Sequence, residues 1–137
     1  MTLVERIVAR EIPAEIVYED ETVIAFLDIE PVNRGHTLIC PKHHYSNFMD
    51  VPDNVMLNVL QAARIVFQAL SEVYGPDGIS FLQNNGAFNG LGHYHLHIFP
   101  CLKEGGGRVR FKTISKPGAE TLKLDANAIR ACVSQSS

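Results

Sequence analysis

The chain has 137 residues, 46% of them hydrophobic and 20% charged, a size and balance that suit one compact core rather than a disordered or multidomain protein. Twelve basic residues against fifteen acidic ones give a formal charge of −3 with no long like-charge run, which argues against nucleic acid as a partner, and no uncharged stretch reaches the length of a membrane span. The opening MTLVERIVAREIP carries Glu5 and Arg6 where a signal peptide needs an apolar run, so a cytoplasmic protein without a membrane partner is expected.

Leu3, Val4, Ile7 and Val8 recur at helical spacing, and Pro13 disfavours continuation past Ile12, so the chain opens on a short amphipathic helix. EIVYE and TVIAFLD are β-rich runs on either side of Asp20-Glu21, which predicts a hairpin, and HTLICP predicts a third strand stopping at Pro41. Between Asp53 and Gly75, apolar residues at Met56, Val59, Leu60, Ala63, Val66, Phe67, Leu70 and Val73 follow the stripe of a half-buried helix, with Asp53 as N-cap and Gly75-Pro76 as the stop. ISFLQN and HYHLHIFP predict two more strands around the glycine-rich NNGAFNGLG. Residues 1–137 read as one domain: a core over 1–100, then a partly mobile tail over 101–137 with Gly105–Gly107 and a weak helix signal near Asp125–Val133. This order predicts an α+β fold with a mainly antiparallel sheet, one long helix and a short N-terminal one. Cys40, Cys101 and Cys132 are odd in number and far apart, without a Cys-x-x-Cys pair, and read as reduced thiols.

Residues 92–98 read GHYHLHI. On a strand, alternation puts His93, His95 and His97 on one face, looking into a cleft, and Tyr94, Leu96 and Ile98 on the other, in the core. Metal binding is one use of such a row, because neutral imidazole is a common ligand. A rise of about 3.3 Å per residue sets His93 roughly 13 Å from His97, so at most two of the three could share an ion. His36, His43 and His44 are the candidates to complete such a set, for example His44 with His93 or His95; no cysteine pair stands near, and no metal is expected. Nucleophilic catalysis is the other use: an imidazole with the ordinary pKa near 6.5 is mostly neutral at pH 7 and attacks phosphorus without a separate base.

The form His-φ-His-φ-His-φ-φ of residues 93–99, with φ apolar, resembles the signature of the histidine triad (HIT) nucleotide hydrolases and transferases. EIPAEIVYEDETVIAFLDIEPVNRGHTLICPKHHY is similar to that family's N-terminal half, so the resemblance covers roughly residues 3 to 100. It implies a HIT-like fold and a hydrolase acting on the α-phosphate of purine nucleotide derivatives, either nucleoside phosphoramidates or dinucleoside polyphosphates. His95 would form a nucleotidyl-histidine intermediate, His93 and His97 would orient it and stabilise the phosphate, and His36 would complete the polar network. Asp28 would hold the ribose, Leu3, Val4, Ile7, Phe26 and Ile29 would form the purine slot, and Asn84 would supply an amide near the scissile phosphate. The resemblance also implies a homodimer with a continuous sheet and no cofactor.

Two departures from the family pattern stand out. Its Gly-Gln-Ser/Thr-Val segment before the triad is replaced by a shorter loop with Gly90-Leu91-Gly92, leaving backbone amides as an anion nest and Asn89 as a spare amide. The Cys-x-x-Cys that joins histidines in a structural zinc site of many bacterial relatives is matched by Thr2 and Glu5, so that zinc site is not expected. A non-catalytic nucleotide-binding sensor is the alternative reading of the same residues.

Overall fold

A computed structural model describes residues 1–104 and 110–135; the Gly105–Gly107 run of the expected tail lies outside them. Five strands, β1 (Ile16–Glu19), β2 (Val23–Leu27), β3 (Thr37–Pro41), β4 (Gly78–Leu82) and β5 (Leu96–Cys101), form one antiparallel sheet in the order β1-β2-β3-β5-β4. Three α-helices accompany it: α1 (Leu3–Val8), α2 (Asp53–Tyr74) and α3 (Ala119–Gln135). The β1–β2 turn is held by Asp20, whose carboxylate accepts from the Thr22 and Val23 amides and from the Tyr18 hydroxyl, so the polar turn satisfies its own donors.

Both faces of the central strands are covered. On one side Val59, Ala62, Ala63, Val66 and Leu70 of α2 pack on Val23, Ala25, Ile39, Leu96 and Ile98. On the other, Val4 and Ile7 of α1 pack on Ile24, Phe26, Leu38 and Cys40. This double burial explains why VIAFL and TLICP are continuous apolar runs rather than alternating ones. Helix α1 is only six residues long and cannot cover the whole face, which leaves a cavity beside it.

Three expectations need correction. Pro52 takes the N-cap position of α2 and Asp53 is its first helical residue, where its charge meets the helix dipole instead of capping a donor. Leu60, Phe67 and Val73 of the α2 stripe are exposed, because eight apolar positions span a wider arc than the sheet covers. The weak helix signal near Asp125–Val133 becomes the 17-residue α3, whose Leu122, Leu124, Ile129 and Val133 remain exposed. Among the described residues no helix is long and apolar enough to cross a membrane.

Gly35, just before His36, has φ +88, and a Cβ there would stand 2.5 Å from Tyr74 Cε2 and 3.0 Å from Leu70 Cδ2. Gly35→Ala is therefore expected to lower stability by about 1–3 kcal/mol, through backbone strain and overpacking against the end of α2. Urea denaturation measures this, and a loss below about 0.5 kcal/mol would show that the loop relaxes freely.

Candidate active site

Strand β5 aims the histidines as alternation requires. Tyr94, Leu96 and Ile98 are buried in the cluster against α2, and the three imidazoles lie on the α1 side of the sheet. The hydrogen-bonded ladder is shorter than the sequence suggests, since β3 and β5 pair only from Thr37↔Ile98 to Ile39↔Leu96. Two positions further along that register, Pro41 faces Tyr94 and has no N–H to offer, so His93 and His95 precede the strand, His93 in a bend. The Tyr94 amide bonds instead to the Tyr45 carbonyl at 2.6 Å.

The hydrogen bonds decide which nitrogen of each ring carries the proton. The Val32 amide donates to His36 Nδ1 at 2.9 Å, so His36 is protonated on Nε2 and donates to His97 Nδ1, also at 2.9 Å. His97 is then left with an Nε2–H. His95 donates from Nδ1 to the His93 carbonyl at 2.8 Å, which leaves its Nε2 lone pair unengaged. His93 donates from Nε2 to the Pro41 carbonyl at 2.7 Å and accepts the Thr2 hydroxyl on Nδ1 at 2.9 Å. The result is a lone pair on His95 beside an N–H on His97, with the two rings 4.8 Å apart and near-perpendicular.

Burial favours the neutral form of His36, His93 and His97. Burial, then the neighbouring His95 and His36, draws the His97 pKa down to about 4 against the pull of Asp28. Burial likewise lowers His36 and His93. Asp28 Oδ2 lies 3.6 Å from His36 Nε2 and 4.0 Å from His97 Nδ1, contacts that are not ion pairs at neutral pH because both rings are uncharged. Asp28, His36 and His97 have ligand-type atoms within 4.8 Å of one another, but the imidazole nitrogens that face each other share a proton that a cation would have to displace. The pairing of His44 with His93 fares no better: His44 Nε2 lies 2.8 Å from the Gly92 carbonyl, and both His93 nitrogens are engaged.

His95 and His97 form the floor of a cavity of about 450 Å³. Leu3, Ile7, Phe26, Asp28 and Ile29 line it from α1 and the end of β2, and Asn84, Phe88, Gly90 and Leu91 line it from the β4–β5 connection. Most of the expected site thus converges on one space, with five exceptions. Val4 is fully buried, since one residue's rotation about α1 turns it from the cavity wall into the sheet. His93 is also fully buried and reaches the site only through its carbonyl. Asn89 spends its amide group on the Ser46 and His93 carbonyls and its oxygen on the Leu91 amide. Gly92 stands off the lining, its amide on the Asn89 carbonyl, so with Leu91 also engaged the expected three-amide nest does not form. His36 lies behind His97 rather than on the lining.

Thr2 and the backbone groups of Val32 and Pro41 were not foreseen as parts of the site. Thr2 had a signal, because Thr2-Leu3-Val4-Glu5 is a capping box in which Thr2 caps α1 while its hydroxyl holds His93. Backbone acceptors carry none. A larger groove of about 810 Å³ lies elsewhere, between α2 and the edge strand β4, and is lined by Leu60, Ala63, Phe67 and Phe81. It holds no histidine and is not the chemical site.

The model of the HIT domain matches residues 9–104. An uncharacterised HIT-like protein of Methanocaldococcus jannaschii is 43% identical over 108 residues, covering 77% of this chain and 83% of that protein. A protein of Saccharomyces cerevisiae named adenosine 5'-monophosphoramidase is 33% identical over 118 residues, covering 85% of this chain and 70% of its own. The crystal structure of a HIT family member from Bacillus subtilis superposes with a TM-score of 0.82 at 34% identity, over 95% of both chains.

The lowered imidazoles make the fold acid-sensitive. In the unfolded chain a histidine takes up its proton near pH 6.5, whereas His97 in the fold stays neutral to about pH 4. Between these values the unfolded state binds more protons, so stability falls as pH falls, by an amount on the order of 3 kcal/mol from His97 by pH 4. Urea midpoints measured from pH 7 to pH 4 are expected to show this loss, and His97→Asn to flatten it; an unchanged slope in the variant would contradict the assignment.

Proposed function

The chain belongs to the HIT domain family, and on that premise we propose that it hydrolyses purine nucleotide derivatives at the α-phosphate with His95 as the nucleophile. The observation that carries this reading is the His95 Nε2 lone pair, oriented by the Nδ1–H bond to the His93 carbonyl, on the floor of the cavity that Asp28 also lines. The name of the yeast relative, adenosine 5'-monophosphoramidase, supports phosphoramidates as one substrate class, with dinucleoside polyphosphates as the other.

In this mechanism Asp28 accepts hydrogen bonds from the ribose hydroxyls, and Leu3, Ile7, Phe26 and Ile29 enclose the base. The Nε2–H of His97 and the Asn84 amide donate to the phosphate oxygens. His95 Nε2 forms a bond to phosphorus as the bond to the leaving group breaks, and the electron pair departs with that group. Positive charge developing on the His95 ring is stabilised by the His93 carbonyl. Neutral His97 is too weak an acid to protonate the leaving atom, and no hydroxyl side chain is among the described lining residues, so that proton comes from water. Water then attacks phosphorus, the N–P bond breaks, and the nucleoside monophosphate leaves with His95 regenerated. Splitting one displacement into two is the gain from the covalent intermediate. The same lack of a hydroxyl is what favours the alternative, a nucleotide-binding module without turnover.

We further propose that a second copy of this chain covers the groove between α2 and β4, joining the two sheets at their β4 edges. Phe67 and Phe81 support this, being exposed and stacked with centroids 6.3 Å apart beside an unpaired strand edge.

His95→Ala is expected to lower kcat/KM for an adenosine phosphoramidate by at least about 10³-fold and to abolish a transient mass gain of one nucleotidyl group seen in the wild type; retention within about tenfold, 1.4 kcal/mol in barrier, would rule His95 out. Tight nucleotide binding without adduct or turnover in the wild type would favour the sensor. Light scattering is expected to give twice the monomer mass for the wild type and a monomer for Phe67→Glu. A monomeric wild type would remove the dimer proposal.

A further inference from the structure

Phe88 lines the cavity yet is 83% exposed, an apolar ring that none of the nucleoside contacts above employs. The line of attack by His95, together with the placing of the other lining residues, decides which end of a substrate it meets. Asp28 and Phe26 belong to β2 and its end, His97 lies on β5, and Asn84 follows β4 on the far side. With His95 attacking from the cavity floor, the group expelled from phosphorus departs on the opposite side, toward the open mouth of the cavity, and the lining residue Phe88, exposed at the end of the 3₁₀ turn Gly86–Phe88, stands at that mouth.

This turn is braced rather than loose. The Asn85 side chain accepts from the Phe48 amide at 2.8 Å, the Asn47 side chain accepts from the Gly86 amide at 3.0 Å, and the Asn89 side chain donates to the Ser46 carbonyl at 3.0 Å. Three cross-links to one neighbouring segment hold the backbone of the turn in a set position, so the loop entropy of presenting Phe88 is already spent before a ligand arrives, and only the side-chain rotamer remains to be fixed. Leu91, partly buried against the cluster that includes Ile7, Phe26 and Leu38, also lines the cavity and extends its apolar surface. Charge sorts the possible leaving groups further. The described lining contains two carboxylates, Asp28 and Glu30, and no lysine or arginine, so a departing polyphosphate would meet like charge with no cation to offset it.

Resting on the hydrolase reading, we propose that Phe88 is a specificity-determining residue that stacks the flat, uncharged body of the leaving group, so that the preferred substrates are nucleoside phosphoramidates of arylalkyl amines. The P–N bond breaks with its electron pair on nitrogen, which takes a proton from water and leaves as the free amine. A nucleobase offers the same flat surface, but on a polyphosphate tether that this lining disfavours.

The test compares adenosine 5'-phosphoramidates of phenylethylamine and of ethylamine, two amines of similar basicity, with diadenosine triphosphate as a third substrate. Wild-type kcat/KM is expected to favour phenylethyl over ethyl by about tenfold, the worth of one aromatic contact, and to favour both over diadenosine triphosphate. Phe88→Ala is expected to bring the phenylethyl-to-ethyl ratio within about twofold of unity, and Phe88→Trp to retain it, with melting temperatures recorded for each variant. A wild-type ratio near one, or a ratio that survives in Phe88→Ala, overturns the role of Phe88. Faster hydrolysis of diadenosine triphosphate overturns the uncharged leaving group. Absence of turnover on all three by the wild type sinks the hydrolase reading itself, and this proposal with it, an outcome distinct from turnover without discrimination.

Discussion

Backbone atoms, not other side chains, settle the protonation of the histidines. The Val32 amide can only donate and the carbonyls of His93 and Pro41 can only accept, so His36, His95 and His93 each have one nitrogen whose state is dictated by a group that cannot titrate. His97 inherits its tautomer from His36. A chemically useful asymmetry follows, with a lone pair on one ring and an N–H on its neighbour. Burial reinforces it by keeping His97 uncharged, so the arrangement persists across the neutral range without a carboxylate bonded to each ring.

The sheet supplies the platform for these bonds. Strands β2 and β3 are buried on both faces, and the long α2 covers one of these faces. The short α1 covers only part of the other, and the space it leaves is bounded by apolar residues on one side and by the histidines on the other. Thr2 ties the two together: as the N-cap of α1 it begins the helix, and through its hydroxyl it holds His93. Folding of the first turn and seating of the triad are therefore coupled through one side chain.

The loop between β4 and β5 shows how a local shortening changes what a site offers. Gly90-Leu91-Gly92 brings no side-chain hydroxyl or amide to the cavity, and the amides of Leu91 and Gly92 turn inward to Asn89. What remains facing the cavity from this side is one amide side chain, Asn84, and apolar surface from Phe88 and Leu91. On the proposed reading, the chemistry at phosphorus rests on His95, His97 and Asn84, and the Phe88 side of the cavity is left to select the leaving group.

The elements were legible because their signals are local. The hairpin around Asp20, the strand ending at Pro41, the stripe of α2 with its Gly75 stop and the alternation of the triad all depend on a few neighbouring residues. So were the residue types of the site, down to Asp28, His95 and His97 in one cavity. Side-chain direction within a shared element was less legible: Leu3 and Ile7 face the cavity but Val4 the core, a difference of one helical step that only the packing of α1 on β2 and β3 resolves. The roles of Asn89, Pro41, Val32 and Thr2 were beyond reach, because they arise where residues far apart in the chain meet. Periodicity along the sequence determined which faces are apolar and where the imidazoles alternate. Tertiary structure alone decided which nitrogen is free, since a proton's position on a ring depends on the backbone atom across from it, and no pattern of side chains encodes that atom's place.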